Sequence, residues 1–128
     1  MSQIKFITVA LALAIHNQQL SGFGGTEGVI DEGKLESALY RPVNIANYNS
    51  EASLYDLAAA IGYGIAINHP FIDGNKRTAF VVMAVFLDIN QVELEASEID
   101  VVQIMLGIAS AITTEQELSV WLEKNSKK

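Results

Sequence analysis

The sequence predicts an all-α fold: one domain over residues 1–128, a helical bundle around a central helix, with one short exposed hairpin. Three observations lead there. Apolar residues recur at helical spacing over most of the chain, Ser, Thr and Asp stand as caps ahead of the apolar runs, and Gly- or Pro-containing clusters separate them. With 128 residues, half of them apolar and 18% charged, the chain has the make-up of one globular domain with its own core.

The elements follow in order. A first helix is expected from about Ile4 to Leu20, ending at the breaker cluster SGFGGTEG (21–28). Within it, Phe6 to Ile15 (FITVALALAI) follows a single Lys5 and looks like the hydrophobic part of a signal peptide. That run is too short to span a bilayer, and it passes into IHNQQL with the helical pattern intact, so a buried helix is the better reading. A second, short helix runs from Glu32 to Tyr40 behind Asp31, with Leu35, Ala38 and Leu39 inward, and Arg41-Pro42 should stop it. Residues 43–50 (VNIANYNS) alternate apolar and polar and read as the exposed hairpin.

Ser53, paired with Asp56 as in a capping box, starts a third helix that ends near Asn68, because Pro70 biases His69 away from the α region. Gly62 and Gly64 lower helix propensity there and point to close packing by a neighbouring helix. A fourth helix from Asn75–Arg77 to about Asn90 is apolar on nearly every side, which marks it as the central one. Two more are capped by Ser97 with Asp100 and by Thr114 with Glu117, the last turning Leu118, Trp121 and Leu122 inward. The KNSKK tail should fray.

Composition excludes several classes. The absence of cysteine removes disulfides and thiolate metal sites and suits a cytoplasmic location. A formal charge of −7 repels nucleic acid and anionic membrane, so neither is an expected partner, and any bound anion needs a local cationic site. Residues 69–77, HPFIDGNKR, offer one.

That stretch connects the third and fourth helices. A helix start presents unpaired N–H groups and partial positive charge, and Asp73-Gly74 is a turn that curls amides into a nest. Lys76 and Arg77 add cations, arginine suited to bidentate phosphate contact. Asp73 would repel a phosphate unless Mg²⁺ sits between carboxylate and phosphate oxygens. A neutral His69 imidazole could take the proton from an attacking hydroxyl. Base, metal ligand, nest and cations together are an inventory for phosphoryl or nucleotidyl transfer. Singly, each has a bland reading: a capping histidine, a DG turn, a solvated KR pair. There is no GxxxxGK(S/T) loop, FGGTEG is not GxGxxG, and no histidine–carboxylate cluster suggests zinc.

HPFIDGNKRTAF resembles the signature of the Fic/Doc superfamily, HPFx(D/E)GNxR, and most of all its death-on-curing (Doc) toxin branch. AIHNQQLSGFGGTEGVIDEGKLESALYRP and LAAAIGYGIAINHPFIDGNKRTAF extend the likeness over most of the chain. The resemblance implies a helical Fic fold that transfers part of ATP to a hydroxyl of a protein substrate. By position it implies His69 as general base, Asp73 as Mg²⁺ ligand, and Gly74, Asn75 and Arg77 as phosphate holders. The hairpin near 41–49, with Arg41, Pro42, Val43, Asn44 and Ile45, would be the flap that docks the target. Phe71 reads as a packing anchor, and His16, which matches a family position, as structural.

Adenylyl-transferring members carry glycine where this chain has Lys76, whereas Doc-type members carry lysine. A long cation there fills space in the nest and could turn the γ-phosphate toward the acceptor, so phosphoryl transfer is the first hypothesis and AMPylation the second. Gly74 stands where Doc tends to have alanine. The inhibitory pattern (S/T)xxxE(G/N) of many Fic proteins is missing, since Thr113 to Glu117 is followed by Leu118. The resemblance therefore implies a toxin–antitoxin pair in which a separate antitoxin inhibits in trans, with a translation elongation factor as the expected target. A non-catalytic binding member, or removal of a modification at the same site, are the other readings.

Overall fold

A computed structural model describes residues 3–29 and 31–127. Six helices and one small sheet follow in the order α1 (Val9–Phe23), α2 (Glu32–Tyr48), α3 (Leu54–Asn68), α4 (Asn75–Ile89), β1 (Glu93–Leu94), α5 (Glu98–Ala109), α6 (Glu115–Lys124) and β2 (Ser126–Lys127). The expected all-α architecture is present. No helix among the described residues is long and apolar enough to cross a membrane.

The caps form where side chains can reach the first free amides. Ser53 and Asp56 close a reciprocal capping box on α3, Thr114 and Glu117 another on α6, and Ser97 accepts from Asp100 N on α5. Burial pushes the Asp56 carboxyl up, but hydrogen bonds from the Ser119 hydroxyl and from the backbone and hydroxyl of Ser53 outweigh it. They hold the group below its usual 3.8. The first helix begins later than the apolar run suggests. Thr8 caps it, accepting from Leu11 N, and Asn90 clasps the backbone of Lys5 ahead of it. Ile7, Ala12 and Ile15 of the apolar run are buried in the core.

α2 departs most from expectation. It runs straight through Pro42 to Tyr48, so 43–50 is no hairpin and Arg41, Pro42, Val43, Asn44 and Ile45 form no flap. An internal proline costs a helix about 3 kcal/mol or more, and tertiary contacts offset it here. Pro42 itself is buried, Ile45 and Ala46 pack on the core, and Arg41 donates to Ala60 O at 2.7 Å and pairs with Glu115 at 2.7 Å. Arg41 is thus a strut from α2 to both α3 and α6.

The central helix is α3, not α4. It packs against α2, α4, α5 and α6, and its run of Ala58, Ala59, Ala60, Ile61, Gly62, Ile65 and Ala66 is fully or almost fully buried. Small residues make this possible. A Cβ at Gly62 would run into the Met83 side chain of α4, and one at Gly64 would press on Ala38 of α2. α4 keeps Phe80, Val81 and Val85 only half-buried. As far as Lys127 the tail is not frayed, Lys128 lying outside the described residues: β2 pairs antiparallel with β1, Glu93 opposite Lys127 and Leu94 opposite Ser126. This two-stranded element joins distant parts of the chain.

Candidate functional site

The chain leaves α3 through His69, whose φ of 50° and ψ of 61° put a non-glycine residue in the left-handed region. Its amide still bonds to Ile65 O at 3.1 Å, while the imidazole is exposed and makes no hydrogen bond among the described residues. The loop that follows is held from below. Phe71 is fully buried and stacks on His16, rings 3.8 Å apart and 7° from parallel. The buried His16 bonds through Nε2 to Asp73 O at 2.8 Å. As a carbonyl only accepts, the Nε2–H tautomer is the one that donates. His16 thus sets the height of the Asp73 backbone.

Asn75 closes the loop on itself. Its Oδ1 accepts from Phe71 N at 3.0 Å and its Nδ2 donates to Phe71 O at 2.9 Å. Asn75, expected to hold phosphate, has its side chain committed to the backbone, which leaves its backbone amide as the possible anion donor. Gly74, at φ 76°, is the N-cap of α4 and provides no side-chain cap. The amides of Asn75, Lys76 and Arg77 consequently have no partner among the described residues, leaving three open donors at a helix start. Asp73 Oδ1 accepts from Gly74 N at 2.8 Å, beside those donors. Its Oδ2 has one long contact, Thr26 N at 3.3 Å.

α1 runs on through Ser21, Gly22 and Phe23, and the rest of the breaker cluster, from Gly24, walls the site. Gly24 and Gly25 have φ of 81° and 128°, and a Cβ at Gly25 would sit 2.9 Å from Asp73 Oδ2. Arg77 reaches across, donating to Gly24 O at 3.1 Å with its guanidinium 5.2 Å from the Phe23 ring centre. Its Nε is buried without a partner. Lys76 is exposed and free of ion pairs among the described residues. Beyond Gly25, Val29 forms an antiparallel bridge with Phe71, flanked by Ile72 N to Gly28 O and Asp31 N to Pro70 O. Backbone does pair with the motif, then, but it comes from Gly28, Val29 and Asp31 and not from 41–49. The paired positive-φ glycines were the available signal for it.

Asp73, Gly74, Lys76 and Arg77 thus gather round the start of α4, a five-residue turn beyond His69. Two concavities of about 210 and 270 Å³ lie elsewhere, one between α2, α3 and α6, the other beside Asp88 and Lys127. His69, Asp73 and Lys76 of the motif are exposed. Among the described residues no three His, Cys, Asp or Glu side chains converge, so a cation at Asp73 would draw on two such side chains at most.

Fold and site together define a class: a helical domain whose central helix ends in a free histidine, a five-residue turn ahead of an uncapped, cation-flanked helix start. A sequence model of the Fic/DOC family matches residues 6–87. The chain belongs to the Fic/DOC family. It is 43% identical over 75 residues to Toxin Doc of Mycolicibacterium smegmatis, a stretch covering 58% of each chain. It is 30% identical over 91 residues to Protein kinase doc of Escherichia phage P1, covering 71% of this chain and 72% of that one. The match to the mycobacterial relative spans under two thirds of that protein's length.

Proposed function

We propose that this protein is a Doc-like toxin that moves the γ-phosphate of ATP to a hydroxyl of a protein substrate, a translation elongation factor, and so halts growth. The single observation that carries the reading is the uncapped start of α4. Three free amides, Lys76 and Arg77 surround it, with the unpartnered His69 imidazole at the other end of a five-residue turn braced by Asn75 and His16. The kinase named among its relatives supports the same direction.

The chemistry follows from these groups. The triphosphate lies on the amides of α4, with Lys76 and Arg77 as counter-charges. Neutral His69 accepts the proton of the target hydroxyl as its oxygen bonds to the γ-phosphorus. The bond from that phosphorus to the β–γ bridging oxygen breaks, and ADP leaves with the bridging oxygen. Asp73 would hold Mg²⁺, since a carboxylate beside a phosphate nest is a donor set that ion accepts. When bound, Mg²⁺ supplies charge neutralisation at the phosphates. An antitoxin acting in trans restrains the enzyme, as the sequence lacks the inhibitory pattern that would do so in cis.

Attack at the α-phosphorus with loss of pyrophosphate, leaving AMP on the target, is the second reading. Gly74, shared with adenylyl-transferring members, favours it. Purified chain, elongation factor and ATP labelled at either the γ or the α position separate the two. Label retained only from γ, and lost in His69→Ala, is the expected outcome. Retention only from α overturns phosphoryl transfer, and undiminished labelling by His69→Ala overturns the site.

A further inference from the structure

The C-terminal third carries a feature that phosphate chemistry does not use. α5 turns Met105 and Ile108 into the core, with Val101 and Ile104 half-buried beside them. Its opposite face is apolar as well. Ile99 (69% exposed), Val102, Leu106 (50%) and Ala109 stand outward at spacings of three, four and three residues. That is the spacing of a coiled-coil seam, a narrow stripe about 15 Å long that matches one helix laid along it. Ile112, 77% exposed and bonded back to Gly107 O at 2.9 Å, lies just past its end. A solvent-facing helix of a monomer normally carries polar residues at such positions.

Charge selects the occupant. Between Arg77 and Lys124 the chain has eight Asp or Glu and not one Lys, Arg or His. Glu98 and Asp100, exposed in the first turn of α5, have no ion-pair partner among the described residues. A second copy would meet this face with its own Glu98 and Asp100 and no cation from α5 to answer them. A helix with Lys or Arg flanking its own apolar stripe would gain from both the apolar contact and the field. We propose that the outer face of α5 docks a basic amphipathic helix of a partner protein. It shares no residue with the site at 69–77, so it can be tested with that site intact.

The probe is a synthetic peptide of about 14 residues, stapled as a helix, with Leu at the same three-four spacing and Lys beside each Leu. A peptide of identical composition with the stripe scrambled is the comparison. Anisotropy of the labelled peptides is titrated with the full chain. The stripe peptide should bind at least about tenfold more tightly than the scrambled one, and Val102→Gln with Leu106→Gln should remove that difference. Both positions are exposed, and unchanged melting of the double variant verifies its fold. Glu98→Gln with Asp100→Asn should weaken binding and flatten its salt dependence. Equal binding of the two peptides, or unchanged binding by the glutamine variant, overturns the proposal. So does a wild-type dimer in sedimentation that the same variant converts to monomer, because the face would then belong to a second copy.

Discussion

Asn75→Ala separates a loop clamp from a phosphate ligand. In the free protein the Asn75 amide satisfies both backbone groups of Phe71, at 3.0 and 2.9 Å, beneath a fully buried ring. Truncation leaves a donor and an acceptor unpaired, each costing about 1–3 kcal/mol when fully shielded from water. The site is only partly buried, which puts the pair near the low end, about 2 kcal/mol. For a chain of this length that is a fall in Tm of roughly 6–10 °C. The assay is thermal and urea unfolding without nucleotide, with hydrogen exchange at the Phe71 amide to show where the structure opens. Phe71 should become a fast exchanger. Were Asn75 only a phosphate ligand, the nucleotide-free variant would melt within about 0.5 kcal/mol of wild type. Unchanged melting and unchanged Phe71 protection would refute the clamp.

Two further predictions probe the ends of α3. His69→Gly removes the imidazole and relieves a left-handed residue that costs roughly 1–2 kcal/mol, so its Tm should match or exceed wild type while transfer falls by at least about 10²; a large loss of stability would mean the ring packs on the loop. Asp56 has a lowered folded pKa, so its contribution is whole above the unfolded value of 3.8 and disappears as pH falls through the lower folded value. Ser119→Ala should therefore flatten the decline of the urea midpoint below about pH 4, and superimposable acid limbs would show that the Ser119 bond does not hold the carboxyl down.

Much of the helical plan was legible because it rests on local chemistry. Ser53, Ser97 and Thr114 cap the helices they were expected to cap, and Gly62 marks a helix contact as its missing side chain suggested. Proline signals a helix end, yet α2 does not stop at Pro42. Leu35, Ala38, Leu39, Pro42, Ile45 and Ala46 keep helical spacing through it, and tertiary contact decided the outcome. The centre of the bundle was misplaced for a related reason. α4 is the more uniformly bulky helix, yet the tightest neighbours gather round the one whose residues are small. In the site, residue types pointed to the loop but could not show that Asn75 faces inward. Nor could they show that Phe23 to Thr26, distant in sequence, wrap Arg77 and Asp73. Those are long-range placements with no local cue.

The return of the tail to β1 bears on how the protein comes into being. Leu118 and Leu122 of α6 are fully buried, α6 packs on α3, and β2 locks against β1. On a growing chain, the histidine-bearing turn emerges well before residues 115–127 are available to cover its scaffold. Burial of α3 then waits on contacts between segments some sixty residues apart (Asp56 to Ser119 spans 63), which form late in folding. Synthesis of the 69–77 turn and assembly of its frame are thereby separated in time, and a fragment stopping at the end of α4 would carry the whole signature on an unfinished core.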